Sequence, residues 1–193
     1  EKLGVKVEFS VMSFDNVLAN VQSGKADIAI AGISVTDERK KVYDFSDSYY
    51  TSENVVIVKK DKVNDYTSTD SLAKQTVGTQ KGSVQETVAK KQISKASVVS
   101  LTSNGEMINE LKSGQLQAVV LEKAIAEGYI AQNDDLTLAN FNLKSDSTDA
   151  YAVATRKGSD DLLKEINAVI KETKDSGKFD QWLKEASTYK QSK

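Results

Sequence analysis

The chain has 193 residues, 39% hydrophobic and 28% charged, with a formal net charge of −2, which suffices for one large or two small domains. Cysteine and histidine are absent, which excludes thiol catalysis, disulfides, imidazole base chemistry and the usual zinc ligands; any enzyme would have to work with carboxylates, lysine, tyrosine and hydroxyls, and no metal or cofactor is expected. The lysines are dispersed rather than gathered in a stripe, so nucleic acid has no footing, and no apolar run is long enough to span a bilayer.

In chain order, Glu1-Lys-Leu-Gly4 reads as the end of a helix with Gly4 as its stop. Val5 to Val11 reads as a strand. Ser13 caps a helix whose apolar positions Val17, Leu18 and Val21 share a face, and Gly24 ends it. Asp27 to Ile30 is short and apolar, the pattern of a strand buried on both faces. Its end opens into Ala31 and Gly32, whose small side chains let a ligand reach the backbone. Ser34 adds a hydroxyl and an N–H, and Thr36-Asp-Glu starts a helix that carries Arg39 in its first turn. Only Arg39 and Arg156 are arginines among 26 basic residues. Lysine is the default cation here, and a guanidinium beside a strand end suits a two-pronged hold on a carboxylate.

Further on, Thr51 to Lys60 is an extended crossing that contains Val55 to Val58. In Gln80-Lys-Gly-Ser-Val84, Gly82 and Ser83 introduce a helix whose first N–H groups favour an anion; the pattern of a phosphate loop is absent. Ser103 and Glu106 form a capping box, Met107, Ile108 and Leu111 an apolar face, and Gly114 a stop before the strand Gln117 to Leu121. Gln22-Ser-Gly-Lys25 and Lys112-Ser-Gly-Gln115 are thus equivalent turns in a repeated helix, turn and strand. The repeat predicts an α/β fold with mainly parallel sheets and two lobes, residues 1–53 plus 149–193 and residues 54–148. A second crossing, Ser147 to Thr155, returns to the first lobe. Ligands in open α/β sheets sit beyond the carboxyl ends of strands. There the first copy offers Ala31-Gly32 with Arg39 nearby, and the second offers Leu121-Glu122. The tail reads as two amphipathic helices, Ser159 to Ile170 and one after Gly177, with Phe179 and Trp182 as packing residues.

The run Ala31-Gly-Ile-Ser-Val-Thr-Asp-Glu-Arg39, continued by Asp44-Phe-Ser-Asp-Ser-Tyr-Tyr50 and by matches from Phe14 to the C-terminal helix, resembles solute-binding protein family 3. These are extracellular or periplasmic proteins that bind polar amino acids for ABC importers. The resemblance implies a type II periplasmic-binding-protein fold whose lobes close on their ligand by a hinge at two crossings. It implies that Arg39, Ser34, Ser83 and Val84 hold the ligand carboxylate. Glu122, where most relatives have aspartate, and Gly32 would take the amine, and Phe14, Ala31, Gln80 and Asp149 would line the side-chain pocket. The implied partners are a free polar amino acid such as glutamine, arginine or histidine, and a membrane permease. The implied place is extracytoplasmic, on a Gram-positive cell surface as a lipoprotein or in a periplasm. By the same resemblance a strand and a helix on the order of 30 residues precede Glu1, with any export signal or lipid-attachment cysteine, and the complete protein is expected to be a monomer. A dehydratase on this scaffold, resembling cyclohexadienyl dehydratase with Glu122 transferring protons, and a receptor sensor domain are the alternatives.

Overall fold

The computed structural model describes residues 2–144 and 150–186. Its strands are β1 (Ile28–Ala29), β2 (Tyr43–Phe45), β3 (Tyr50–Thr51), β4 (Asn54–Lys59), β5 (Thr76–Gln80), β6 (Ser97–Leu101), β7 (Ala118–Glu122), β8 (Leu136–Leu138), β9 (Ala150–Tyr151) and β10 (Ala154–Arg156). The α-helices are α1 (Phe14–Gln22), α2 (Asp37–Lys40), α3 (Val84–Gln92), α4 (Asn104–Ser113), α5 (Lys123–Ile130), α6 (Asp160–Asp175) and α7 (Lys178–Ala186). The described residues divide into two compact units, 2–51 with 150–186 and 52–144. The class is α/β.

In the first unit β10 runs antiparallel between β1 and β2, with Thr155 opposite both Ile28 and Asp44. Helix α1 buries Val21 against Ala29, Ile33, Tyr43 and Ala154, and Phe14, Val17 and Leu18 pack on the margin of that cluster. The expected face of α1 is therefore the buried one. Strands β3 and β9 form a separate antiparallel pair. Helix α6 buries Leu163 and Ile166, and the Asn167 side chain accepts the Asp47 N–H at 2.8 Å. Gly177, at φ +70°, separates α6 from α7. Phe179 packs against the rings of Tyr49 and Tyr50 at 6.2 and 6.3 Å, whereas Trp182 is half-exposed beneath the Lys178 ammonium.

Two expectations fail in this unit. Val5 to Val11 is not a strand: it pairs with nothing among the described residues, and Val5, Val7, Phe9 and Val11 are 62, 60, 92 and 97% exposed. A strand needs a neighbouring backbone to take its N–H and C=O groups, and alternation alone supplies none. Asp27 to Ile30 is not covered on both faces either. Ala29 is buried, but Ile28 and Ile30 on the opposite face are 37 and 63% exposed, so β1, an edge strand, is covered on one face only.

The second unit has one sheet in the order β6-β5-β7-β4-β8. Strands β6, β5 and β7 are parallel, and β4 is antiparallel to both β7 and β8. Period-two alternation sends Val56, Val58, Ala118 and Val120 to one face, under Val84, Val88 and Ala89 of α3. Ile57, Val119 and Leu121 go to the other, under Met107, Ile108 and Leu111 of α4 and Ala126 and Tyr129 of α5. All of β7 is buried, so the continuous apolar run of a doubly covered strand is here. Gly114 ends α4 in the left-handed conformation at φ +82°, as its place in the pattern requires. Ser103 and Ser13 occupy their N-cap positions, but neither hydroxyl accepts a helix amide. The capping box of Ser103 and Glu106 is therefore not made, and the Ser13 Oγ instead accepts Asn16 Nδ2 at 2.8 Å.

Gly78 lies buried in the middle of β5, where a Cβ would come within 2.5 Å of Leu116 Cδ1 and 3.4 Å of Val119 Cγ2. Leu116 is itself fully buried and has little room to yield. Gly78→Ala is expected to lower stability by about 1–3 kcal/mol, the usual cost of overpacking, and the double change with Leu116→Ala to lose less than the sum of the two. Urea unfolding of the three variants measures both, and strict additivity would remove the steric account.

Candidate functional site

The first unit gathers Phe14, Ser34 and Arg39. The Thr36 hydroxyl accepts the Arg39 N–H at 3.2 Å, so the expected N-cap is formed and α2 begins where Arg39 must sit. Its side chain turns back along the chain, and Nη1 donates to the Ser34 carbonyl at 2.8 Å. The guanidinium carbon lies 6.0 Å from the centre of the Phe14 ring, a cation–π distance. Burial lowers the Arg39 pKa, with the Tyr43 phenol pulling the other way; an arginine so placed stays charged. Ser34 is buried and bridges Tyr151. Gly32 adopts φ +61°, a conformation in which glycine has no steric penalty, and its N–H donates to Tyr49 Oη at 3.1 Å. What Gly32 can offer an ammonium is thus its carbonyl. Ala31 is partly buried against the same cluster as Phe14.

The second unit assembles Gln80, Ser83, Val84 and Glu122. Ser83 caps α3: its Oγ accepts the Glu86 N–H at 3.3 Å and donates to the Gln80 carbonyl at 2.6 Å. Glu86 reaches back to accept the Gly82 N–H at 3.0 Å, so the helix start is closed from both sides. The Ser83 N–H also turns inward, to the Gln80 carbonyl. The first-turn donors that remain are the amides of Val84 and Gln85. Glu122 caps α5 in the same manner, with Oε1 accepting the Ala124 N–H at 3.1 Å and Oε2 the Ile125 N–H at 3.2 Å. The Ser52 hydroxyl also donates to Oε1. These bonds occupy three of the roughly four acceptor directions of a carboxylate, and the residue is only 7% exposed. Asn54 ties the two helix starts together: it lies opposite Glu122 in the β4–β7 ladder and accepts Gln85 Nε2 at 2.7 Å.

Asp149 lies outside the described residues. Tyr49, Ser52, Asn54 and Gln85 carry no periodic signal and were not anticipated. Ser52 and Glu122 stand 70 positions apart, and only the β4–β7 pairing brings them to one strand end. Gln85 alone had a local cue, as the second residue after a capping serine.

The first unit thus holds a guanidinium at a strand end, and the second holds two capped helix starts at strand ends. The chain belongs to the bacterial extracellular solute-binding proteins, family 3, whose model matches residues 1–186. It is 32% identical over 186 residues to the arginine-binding extracellular protein ArtP of Bacillus subtilis, covering 95% of this chain and 72% of that one. It is likewise 32% identical to the glutamine-binding protein GlnH of the same organism, covering 93% and 66%. Among solved structures, the amino acid ABC transporter substrate-binding protein AbpA from Streptococcus pneumoniae, bound to L-arginine, superposes with a TM-score of 0.93 at 49% identity, covering 96% of this chain and 78% of that one. The chain thus spans about two thirds to four fifths of the length of these relatives.

The Glu86 carboxyl is held below its ordinary pKa, first by the Lys90 ammonium and then by the Gly82 N–H and the Ser100 hydroxyl, against partial burial. A depressed carboxyl stabilises the fold above its unfolded pKa, near 4.3, and the contribution fades as pH falls through the folded value. The stability gap between the parent chain and Glu86→Gln should therefore be widest at neutral pH and close in acid. Urea titrations from roughly pH 7 down to pH 3 check this, and a gap that widens in acid contradicts it.

Proposed function

We propose that the chain is the capturing component of an ABC importer, binding a free polar amino acid outside the cytoplasm and delivering it to a membrane permease. Arg39 and Ser34 meet the ligand carboxylate, with the amide of Val84 adding a donor at a helix N-terminus and Ser83 holding that turn in place. Glu122 and the Gly32 carbonyl accept the ammonium. Phe14, Ala31 and Gln80 shape the side-chain pocket, together with Asp149. The protein works at a Gram-positive cell surface, attached by a lipid, or in a periplasm. Glu122 serves as a fixed acceptor, not as a proton-transfer group, because both its oxygens are committed to a helix start.

The observation that carries this reading is the Arg39 guanidinium, partly buried at a strand end and fastened to the Ser34 carbonyl. Relatives named for arginine and glutamine make these two the first ligands to test, and arginine the leading one. A thermal-shift screen against all amino acids tests the class, since a ligand of the folded state raises Tm by mass action. No shift with any amino acid would overturn it.

Arg39→Lys keeps the charge but loses the planar fork, and charge-assisted hydrogen bonds are worth about 1.5–3 kcal/mol. It is expected to weaken binding at least about tenfold with the circular dichroism spectrum unchanged. Unaltered affinity in titration calorimetry would remove Arg39 from the site.

Glu122→Gln separates ligand binding from helix capping. If Glu122 meets the ammonium, the loss for a free amino acid should exceed the loss for its deaminated analogue by about 1–3 kcal/mol. Equal losses would leave Glu122 as a cap alone.

A further inference from the structure

Glutamate is not among the residues preferred at a helix N-cap, and its extra methylene gives the carboxylate one more rotor to fix than aspartate has. Glu122 caps α5 nonetheless, and it is held from outside the helix by Ser52, itself only 8% exposed. Strand register brings that hydroxyl to the helix start. Asn54 lies opposite Glu122 at the end of the β4–β7 ladder, and just beyond it the Glu53 carbonyl accepts the Lys123 N–H at 2.9 Å. The neighbouring ammonium, Lys123 Nζ, lies 3.2 Å from Glu53 Oε2 on the exposed side.

The donors are shared unequally between the two oxygens of Glu122. Oε1 accepts both the Ser52 hydroxyl and the Ala124 N–H, whereas among the described residues Oε2 accepts the Ile125 N–H alone. Each carboxylate oxygen has about two acceptor directions, so Oε1 is filled and Oε2 keeps one. We propose that Ser52 is a positioning residue: by filling Oε1 it fixes the carboxylate on the helix start and leaves Oε2 as the atom that meets the ligand ammonium. This rests on the reading of Glu122 as the ammonium acceptor, and it adds which oxygen accepts and which group aims it. Ser52 acts through Glu122 and not on the ligand. Without its hydroxyl, Oε1 is open and the side chain has one restraint fewer, so binding must supply the ordering that the folded chain otherwise supplies beforehand.

L-Arginine and L-glutamine are the probes, each beside the same molecule without its ammonium, δ-guanidinovalerate and glutaramate. In titration calorimetry Ser52→Ala is expected to weaken binding of the amino acid about two- to tenfold, the scale of ordering one long side chain, and to leave the deaminated analogue unaffected. A serine with a merely structural role would lower both affinities together, and that result would overturn the proposal. Glu122→Gln, measured in parallel, separates the two readings. If it narrows the preference for the amino acid and Ser52→Ala does not, the role of Ser52 falls while Glu122 stands as the acceptor. If Glu122→Gln leaves the preference intact, or if the parent chain binds neither amino acid, both readings fall. The bond itself is measured without ligand. In urea unfolding, Ser52→Ala, Glu122→Ala and the double variant are expected to show a coupling of several-fold in the folding equilibrium constant, and additive losses would also overturn the proposal.

Discussion

A helix can begin only where something accepts its first N–H groups, and in this chain that constraint positions the groups proposed to meet the ligand. Three strand-to-helix joints meet it with side chains: Thr36 at α2, Ser83 at α3 and Glu122 at α5. Each cap is worth about 1 kcal/mol, a modest sum. The positional consequence is larger. The Thr36 cap fixes where the Arg39 side chain leaves the backbone, and the Ser83 cap closes one amide of α3 while presenting others. At α5 the capping group is itself a carboxylate, so a negative charge is held at a helix start whose dipole favours it.

The sheets decide how firmly those joints are supported. In the second unit β7 is covered on both faces, and Val119, Val120 and Leu121 are almost wholly buried; full burial of such side chains contributes about 1.5–3 kcal/mol each. Glu122 continues directly from that buried run, so its cap sits on a rigid base. The Ser52 hydroxyl and the Asn54 amide reach the same strand end from the chain entering β4. In the first unit Arg39 stands on a turn of four residues beside a three-stranded sheet whose edge is half bare. Its orientation depends more on specific bonds, to the Ser34 carbonyl and over the Phe14 ring, than on depth of burial.

Much of this was legible from local pattern. The apolar face of α1, the stop at Gly114, the cap at Thr36 and the helix after Ser83 all follow from residues within one turn of each other, where sequence distance and spatial distance coincide. The family resemblance pointed to Arg39 and Glu122, and the structure gives each a physical context that pattern did not contain. What pattern could not supply was pairing. Val5 to Val11 and Asp27 to Ile30 have the alternation or apolarity of strands, yet whether such a segment is covered depends on a backbone contributed from elsewhere. The same limit hid Ser52, which meets Glu122 only because β4 and β7 pair. The hydroxyls of Ser13 and Ser103 show the converse: a serine at the right position need not make the cap, since a nearby Asn16 competes for Ser13.

The two charged residues are restrained by unlike means, and this bears on what binding can gain. A carboxylate that already accepts three hydrogen bonds has lost most of its freedom before any ligand arrives, so a further donor meets a group that needs little reorganisation. A guanidinium has five N–H donors, one of which goes to the Ser34 carbonyl. Its planar fork matches the two oxygens of a carboxylate. Under the proposed function Arg39 supplies the planar match to the ligand carboxylate. Under the same proposal Glu122 supplies discrimination, because an acceptor already so well satisfied gains little from a neutral group and more from an ammonium.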